Sequence, residues 1–188
     1  MINHRVDLAS AVDRVGATYD TERAQGELNA WGNSFPAEEL PFGGQVNVGG
    51  VFYALVEKAP QQPDHLEALG QMIACGPPSR PVDALALLAT GELGPQKLSI
   101  RVHLAGGDVA TVPVAVPGWL VRPDAPVTAD QLRCSHLHYP GGYELARLLP
   151  VLWSRVLPLP GLPITALELL VNPLVHVFAI SLLAEVEP

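Results

Sequence analysis

In the stretch LSIRVHLAGGDVATVPVAV, residues 98–116, apolar and polar side chains alternate, break at a turn, and alternate again. Leu98, Ile100, Val102 and Leu104 fall on one side of an extended chain, and Ser99, Arg101 and His103 on the other. That is the period-2 signature of a half-buried strand. Ala105-Gly106-Gly107-Asp108 supplies turn chemistry, and Val112, Val114 and Val116 resume the pattern, so the stretch predicts a β-hairpin. Long helices are barred elsewhere, because 19 prolines and 17 glycines are spread through 188 residues. Further strands are predicted over 45–56 with a kink at Gly49-Gly50, and over 84–89, 151–157, 164–170 and 174–186. Pro158, Pro160 and Pro163 punctuate the connection expected after residue 157. Short strands without intervening helices predict one all-β domain over 1–188, an antiparallel β-sandwich.

Composition narrows the function classes. Hydrophobic residues make up 48% of the chain and charged residues 16%, a balance that argues for a packed core and against disorder. A net charge of -8 opposes binding to phosphate backbones, so no nucleic-acid partner is expected. The longest uncharged apolar run, 169–184, contains Asn172-Pro173 and His176 and falls short of the roughly 20 residues a membrane helix needs. No membrane span is expected. The N-terminal MINHRVDLASAVDRV lacks the apolar core of a secretion signal. Cys75 and Cys134 fit buried free thiols, so a cytoplasmic location is expected.

Two connections are long, 14–44 and 117–150, and long loops in compact domains tend to be functional or disordered. The first contains YDTERAQGELNAWGNSFPAEELP, which is followed in order by VNVGGVFYAL, ALGQMI, LALLATGELG, VLWSRVLPLP and VNPLVHVFAISL. Taken in order, these phrases resemble galactose-binding-like β-sandwich domains, the carbohydrate-binding-module-like type appended to actinobacterial glycoside hydrolases. The resemblance implies a jelly roll of two antiparallel sheets with a structural calcium ion near the chain termini. It also implies binding of a sugar or other polar ligand on a sheet face or among the edge loops.

Several residues in the two connections carry candidate chemistry. Asp20, Glu22 and Glu27 are hard oxygen donors of the kind calcium prefers. Glu185 and Glu187 follow the last strand, so Asp20 or Glu22 with Glu185 is a candidate calcium set, beside the plainer reading of solvated carboxylates. Trp31 next to Gly32 and Asn33 can offer an aromatic face and paired polar groups to a ligand, and Trp119 and Tyr139 can do the same from the second connection. Each tryptophan can equally plug the sandwich; Trp153, inside a strand pattern, reads as structural. Glu38 and Glu39 follow Pro36; in extended chain they point to opposite sides, and one can serve as an acid or base. In RCSHLHYPGG, extended backbone places Cys134, His136 and His138 on one face. His-x-His can grip a transition metal if Glu144, His103 or His176 adds a ligand. Without a second spaced pair, a transition metal is the weaker reading, and the imidazoles can instead move protons. His176 itself reads as a satisfied, partly buried imidazole.

The functional expectation is non-catalytic binding of a carbohydrate or similar polar small molecule. The alternative is an enzyme on the same scaffold, a cyclase or isomerase acting on a small hydrophobic metabolite with calcium as a candidate cofactor, and with Glu38, Glu39, His136 and His138 as acid/base groups. A third reading is a homodimer formed through the apolar C-terminal half.

Overall fold

The computed structural model describes residues 2–76, 81–141 and 147–185. Apart from two short 3-10 turns, Asp20–Gln25 and Ala37–Glu39, its regular elements are strands. In chain order these are β1 (Ile2–Arg5), β2 (Ala17–Thr18), β3 (Phe35–Pro36), β4 (Gln45–Val48), β5 (Val51–Ala54), β6 (Leu66–Ala68), β7 (Met72–Ala74) and β8 (Val82–Gly91). They continue with β9 (Gln96–Leu104), β10 (Val109–Val116), β11 (Leu120–Val121), β12 (Gln131–Arg133), β13 (Leu149–Leu162), β14 (Ile164–Leu169) and β15 (Asn172–Ala184). No helix among the described residues is long and apolar enough to cross a membrane.

The predicted hairpin is β9-β10, paired from Val109↔His103 to Val116↔Gln96. It lies in the sheet ordered β10-β9-β14-β7, which faces a sheet ordered β1-β15-β8-β13-β11, with β6 also paired to β15 and β12 to β13. From β8 onward the chain passes between the sheets: β8 in the first, β9-β10 in the second, then β13, β14 and β15 in alternation. The resulting order, β6-β15-β8-β13 over β7-β14-β9-β10, is that of an antiparallel jelly-roll sandwich. Leu85, Leu87, Ile100, Val102, Leu167, Leu169, Val177 and Ile180 fill the space between the sheets.

The other face of the first sheet is buried as well. Ala84, Ala86, Leu88, Leu152, Phe178 and Leu183 point outward into a second core shared with Leu28, Phe35, Tyr53, Trp119 and Leu137. Strand β8 is therefore covered on both faces, which is why ALALLA shows no alternation. A bulge in β15 between Val177 and Ala179 places the consecutive residues Phe178 and Ala179 both on the outward side. The outer layer consists of the two long connections and the β4-β5 hairpin. Tyr53 fastens that hairpin: its buried hydroxyl donates to Leu87 O at 3.2 Å and lies 2.7 Å from Ser154 Oγ.

Two local expectations are corrected. The backbone does not kink at Gly49-Gly50 but reverses there, with φ of 63° and 83°, and β4 pairs antiparallel with β5. Consecutive positive φ values are open to glycine and close the tight turn. Pro158 and Pro160 do not end a strand either, since β13 runs to Leu162. There it pairs with β8, while β11 and β12 pair only with its first residues, Leu149 to Trp153. Among the described residues no strand pairs with that edge beyond Ser154, the kind of place where a strand tolerates residues lacking an amide donor.

Candidate functional site

A cavity of about 320 Å³ opens between the two long connections, and Trp31, Asn33, Trp119 and Tyr139 all line it. Asn29 builds the rim: its carboxamide oxygen accepts the amides of Trp31 and Asn33, each at 3.1 Å, and its carbonyl accepts the amide of Gly32 at 2.9 Å. Gly32 has φ +73°, and a Cβ there would lie 2.8 Å from Pro140 Cγ, so the turn that presents Trp31 and Asn33 requires glycine. Trp31 is 66% exposed at the mouth, whereas Trp119 is 5% exposed and packs edge-on against Phe35 at 5.9 Å between ring centres. Leu137 also lines the wall.

The polar lining is sparse and specific. Asn33 is 8% exposed, and its Oδ1 has no hydrogen-bond partner. A buried acceptor left unmatched costs about 1–3 kcal/mol, so a ligand donor would have an advantage there. Glu92, at the end of β8, lines this cavity and also an adjoining polar cleft of about 360 Å³ that shares Asn29. Burial raises the Glu92 carboxyl above its ordinary value, against the lowering effect of a backbone hydrogen bond from Ala30. An acid in that state can hold a proton nearer neutral pH than an exposed glutamate can.

Beneath the cleft runs a buried polar chain. Lys58 Nζ lies 3.1 Å from Asp64 Oδ2, and Asp64 Oδ1 lies 3.1 Å from His65 Nδ1. His65 Nε2 is 3.0 Å from His176 Nδ1, and His176 Nε2 is 4.0 Å from Glu92 Oε2. Asp64 also accepts the amides of Gly16 and Ala17 at 3.0 and 3.1 Å, which pins β2 to the sheet. With a neutral His65 donating from Nδ1 to Asp64, His65 Nε2 accepts from His176 Nδ1–H and His176 Nε2 is left with a lone pair. Burial, with smaller contributions from His65 and Arg14, lowers the His176 pKa to about 3.

On the far side of the cavity wall is a second cluster. Ser34 and His138 form an antiparallel bridge with reciprocal backbone bonds of 3.2 and 3.1 Å, joining the two connections. Leu137 and Tyr139 face the cavity, while His136 and His138 face away toward Asp20. His138 Nδ1 lies 3.0 Å from Thr18 Oγ1, and Nε2 lies 3.1 Å from Asp20 Oδ1. His136 Nδ1 lies 2.9 Å from Ser135 Oγ and 3.1 Å from Glu39 Oε1. Desolvation lowers the His138 pKa, helped by the Arg23 and His136 charges and opposed by Asp20 and Glu38. The Arg23 hydrogen bond holds the Asp20 carboxyl below its ordinary value.

A sequence profile for the AziU2-like beta-sandwich domain matches residues 3–186. The chain belongs to the AziU2-like beta-sandwich domain family. No curated protein matches it.

Within this AziU2-like domain the four aromatic and amide candidates, Trp31, Asn33, Trp119 and Tyr139, share one cavity. Among the described residues Asp20, Glu22 and Glu185 form no group of three side-chain ligands around one point. The Glu22 carboxylate folds back toward the Tyr19 amide at 3.4 Å, and the Glu185 amide bonds Asp83 at 2.7 Å at the end of β15. Asp20 instead joins the histidines. Glu187 and Glu144 lie outside the described residues. His103 lies 3.6 Å from Glu168 on the second sheet, and His176 belongs to the buried chain, so neither reaches His136. Glu38 and Glu39 are exposed in a 3-10 turn rather than in extended backbone. Glu38 accepts the Asp20 amide at 2.8 Å within the first connection, while Glu39 accepts the Ser135 amide at 2.6 Å and the Ser135 hydroxyl and so ties the two connections together. Cys75 and Cys134 are free, and Trp153 donates its Nε1–H to Gly118 O at 2.9 Å within the fold. Sequence reasoning missed Asn29 and Glu92. Glu92 had a faint signal, a carboxylate between the glycines of TGELG at the end of an apolar strand.

Proposed function

We propose that this domain binds a small organic molecule with an apolar face and polar edges, of which a carbohydrate ring is the leading example. One observation carries the reading: Trp31, Asn33, Trp119 and Tyr139, drawn from both long connections, meet around one cavity of about 320 Å³. That volume is at the small end of the range of roughly 300–1,000 Å³ for ligand pockets, which suits one or two rings. Trp31 at the mouth offers a face for ring CH groups. Asn33 Oδ1 accepts from a ligand hydroxyl, and the Glu92 carboxyl on the same wall offers a second polar contact. This is the ligand chemistry expected of a carbohydrate-binding-module-like sandwich.

The test is isothermal titration with a panel of mono- and disaccharides, repeated on W31A and N33A. The expected result is saturable binding by at least one sugar, weakened at least tenfold in both variants. Heats indistinguishable from dilution across the panel would remove the carbohydrate reading.

A second reading, acid/base chemistry on a bound metabolite in the same cavity, is favoured by Glu92, whose carboxyl is raised by burial on the cavity wall. In that case E92Q retains ligand affinity and loses turnover. An E92Q protein that matches the parent in both properties leaves simple binding.

A further inference from the structure

Asp20 begins the first 3-10 turn, and His136 and His138 stand in the second long connection; one ligand-capable atom of each lies within 4.8 Å of the other two. Two imidazoles and a carboxylate are the donor types of zinc-class centres, in which three protein ligands leave the remaining positions to solvent. We propose that Asp20, His136 and His138 bind one divalent transition-metal ion of the zinc class, which clamps the two connections together behind the cavity wall.

Three further features support the site. The first is the set of outer partners. His138 Nδ1 lies 3.0 Å from Thr18 Oγ1, itself 2.7 Å from Ser34 Oγ, while His136 Nδ1 faces Ser135 Oγ at 2.9 Å and Glu39 Oε1 at 3.1 Å. Hydroxyl and carboxylate contacts of this kind orient ligating imidazoles and raise their basicity. The second is His138, whose side chain is fully buried while its Nε2 makes no hydrogen bond; Asp20 Oδ1 at 3.1 Å lacks the alignment for one. A metal ion satisfies that buried nitrogen. The third is adaptability at Asp20, whose side chain is 63% exposed. Arg23 holds its Oδ1 at 2.7 Å, so coordination recruits the second carboxylate oxygen by a rotation that solvent permits, with Arg23 remaining as an outer partner.

The clamp is independent of what the cavity binds, since its ligands face away from it. His136 and His138 flank Leu137, a cavity-wall residue, so an ordered ion also stiffens that wall.

The experiment uses untagged, chelator-stripped full-length protein titrated with Zn²⁺ and with Co²⁺, reading calorimetric stoichiometry and the visible absorption of bound cobalt. Expected are one ion per chain, a cobalt spectrum typical of nitrogen and oxygen ligation, and a higher Tm with Zn²⁺. D20N and H136A, both at solvent-accessible positions, are expected to weaken binding at least 100-fold and to fold normally by circular dichroism. E39Q acts through His136 and is expected to cost about 10- to 100-fold. H103A, at a histidine remote from the site, is expected to bind as the parent does. Absence of a stoichiometric ion at micromolar metal, or affinity unchanged in D20N and H136A, overturns the proposal.

Discussion

His176 shows how one side chain couples the buried interior to pH. Its imidazole, enclosed between His65 and the sheet, has its pKa lowered to about 3, against roughly 6.5 in an unfolded chain. Between these values the unfolded state binds a proton that the folded state refuses, so stability falls as pH drops from about 6.5 toward about 3. The lowered His138 acts in the same sense and the raised Glu92 in the opposite one. The urea midpoint is therefore expected to decline between pH 7 and pH 4.5, and H176Q is expected to start lower at pH 7 but decline less steeply. A parent midpoint that holds constant over this range would contradict a neutral, enclosed His176. Gly16 belongs to the same arrangement. A Cβ there would fall 2.5 Å from His65 Nδ1 and 2.8 Å from Phe178 Cζ, so the close approach of β2 to the buried chain requires a bare backbone.

At the scale of elements, strand β8 separates what the sequence reveals from what it hides. The β9-β10 hairpin was legible because one face meets the core and the other meets water, so residues 98–104 alternate. Strand β8 has Leu87 in the inter-sheet core and Leu88 in the outer core, and a strand buried on both faces loses its period. Its existence could be read, but not the layer covering it. Leu88→Ala is accordingly expected to cost about 2–5 kcal/mol by urea denaturation, as much as Leu87→Ala. A near-neutral Leu88→Ala would mean that the outer face is open. The site divides in the same way. Trp31, Asn33, Trp119 and Tyr139 could be picked out as aromatic and amide groups in long connections. The partnership of Asp20 with His136 and His138 depends on the Ser34–His138 bridge, a contact between distant segments that no local spacing encodes.

The whole molecule has three layers, two sheets and a coat formed by the long connections with the β4-β5 hairpin. Cys134 reports on that coat. Its thiol is buried in the outer core and pushed well up by desolvation and by Glu39, while partial burial raises Cys75 to about 11. Thiolate is the reactive form, so native protein is expected to resist iodoacetamide at Cys134 and to label rapidly in urea, as followed by peptide mass spectrometry. Fast labelling of Cys134 without denaturant would show a coat that opens readily.

The bridged segment from Ser135 to Tyr139 presents alternate residues to two different neighbourhoods, His136 and His138 to Asp20, and Leu137 and Tyr139 to the cavity. Its information is therefore carried by parity. Inserting one residue ahead of His136 exchanges the two sets, turning imidazoles toward the aromatic cavity and apolar groups toward the carboxylate. Inserting two residues restores each set to its own side.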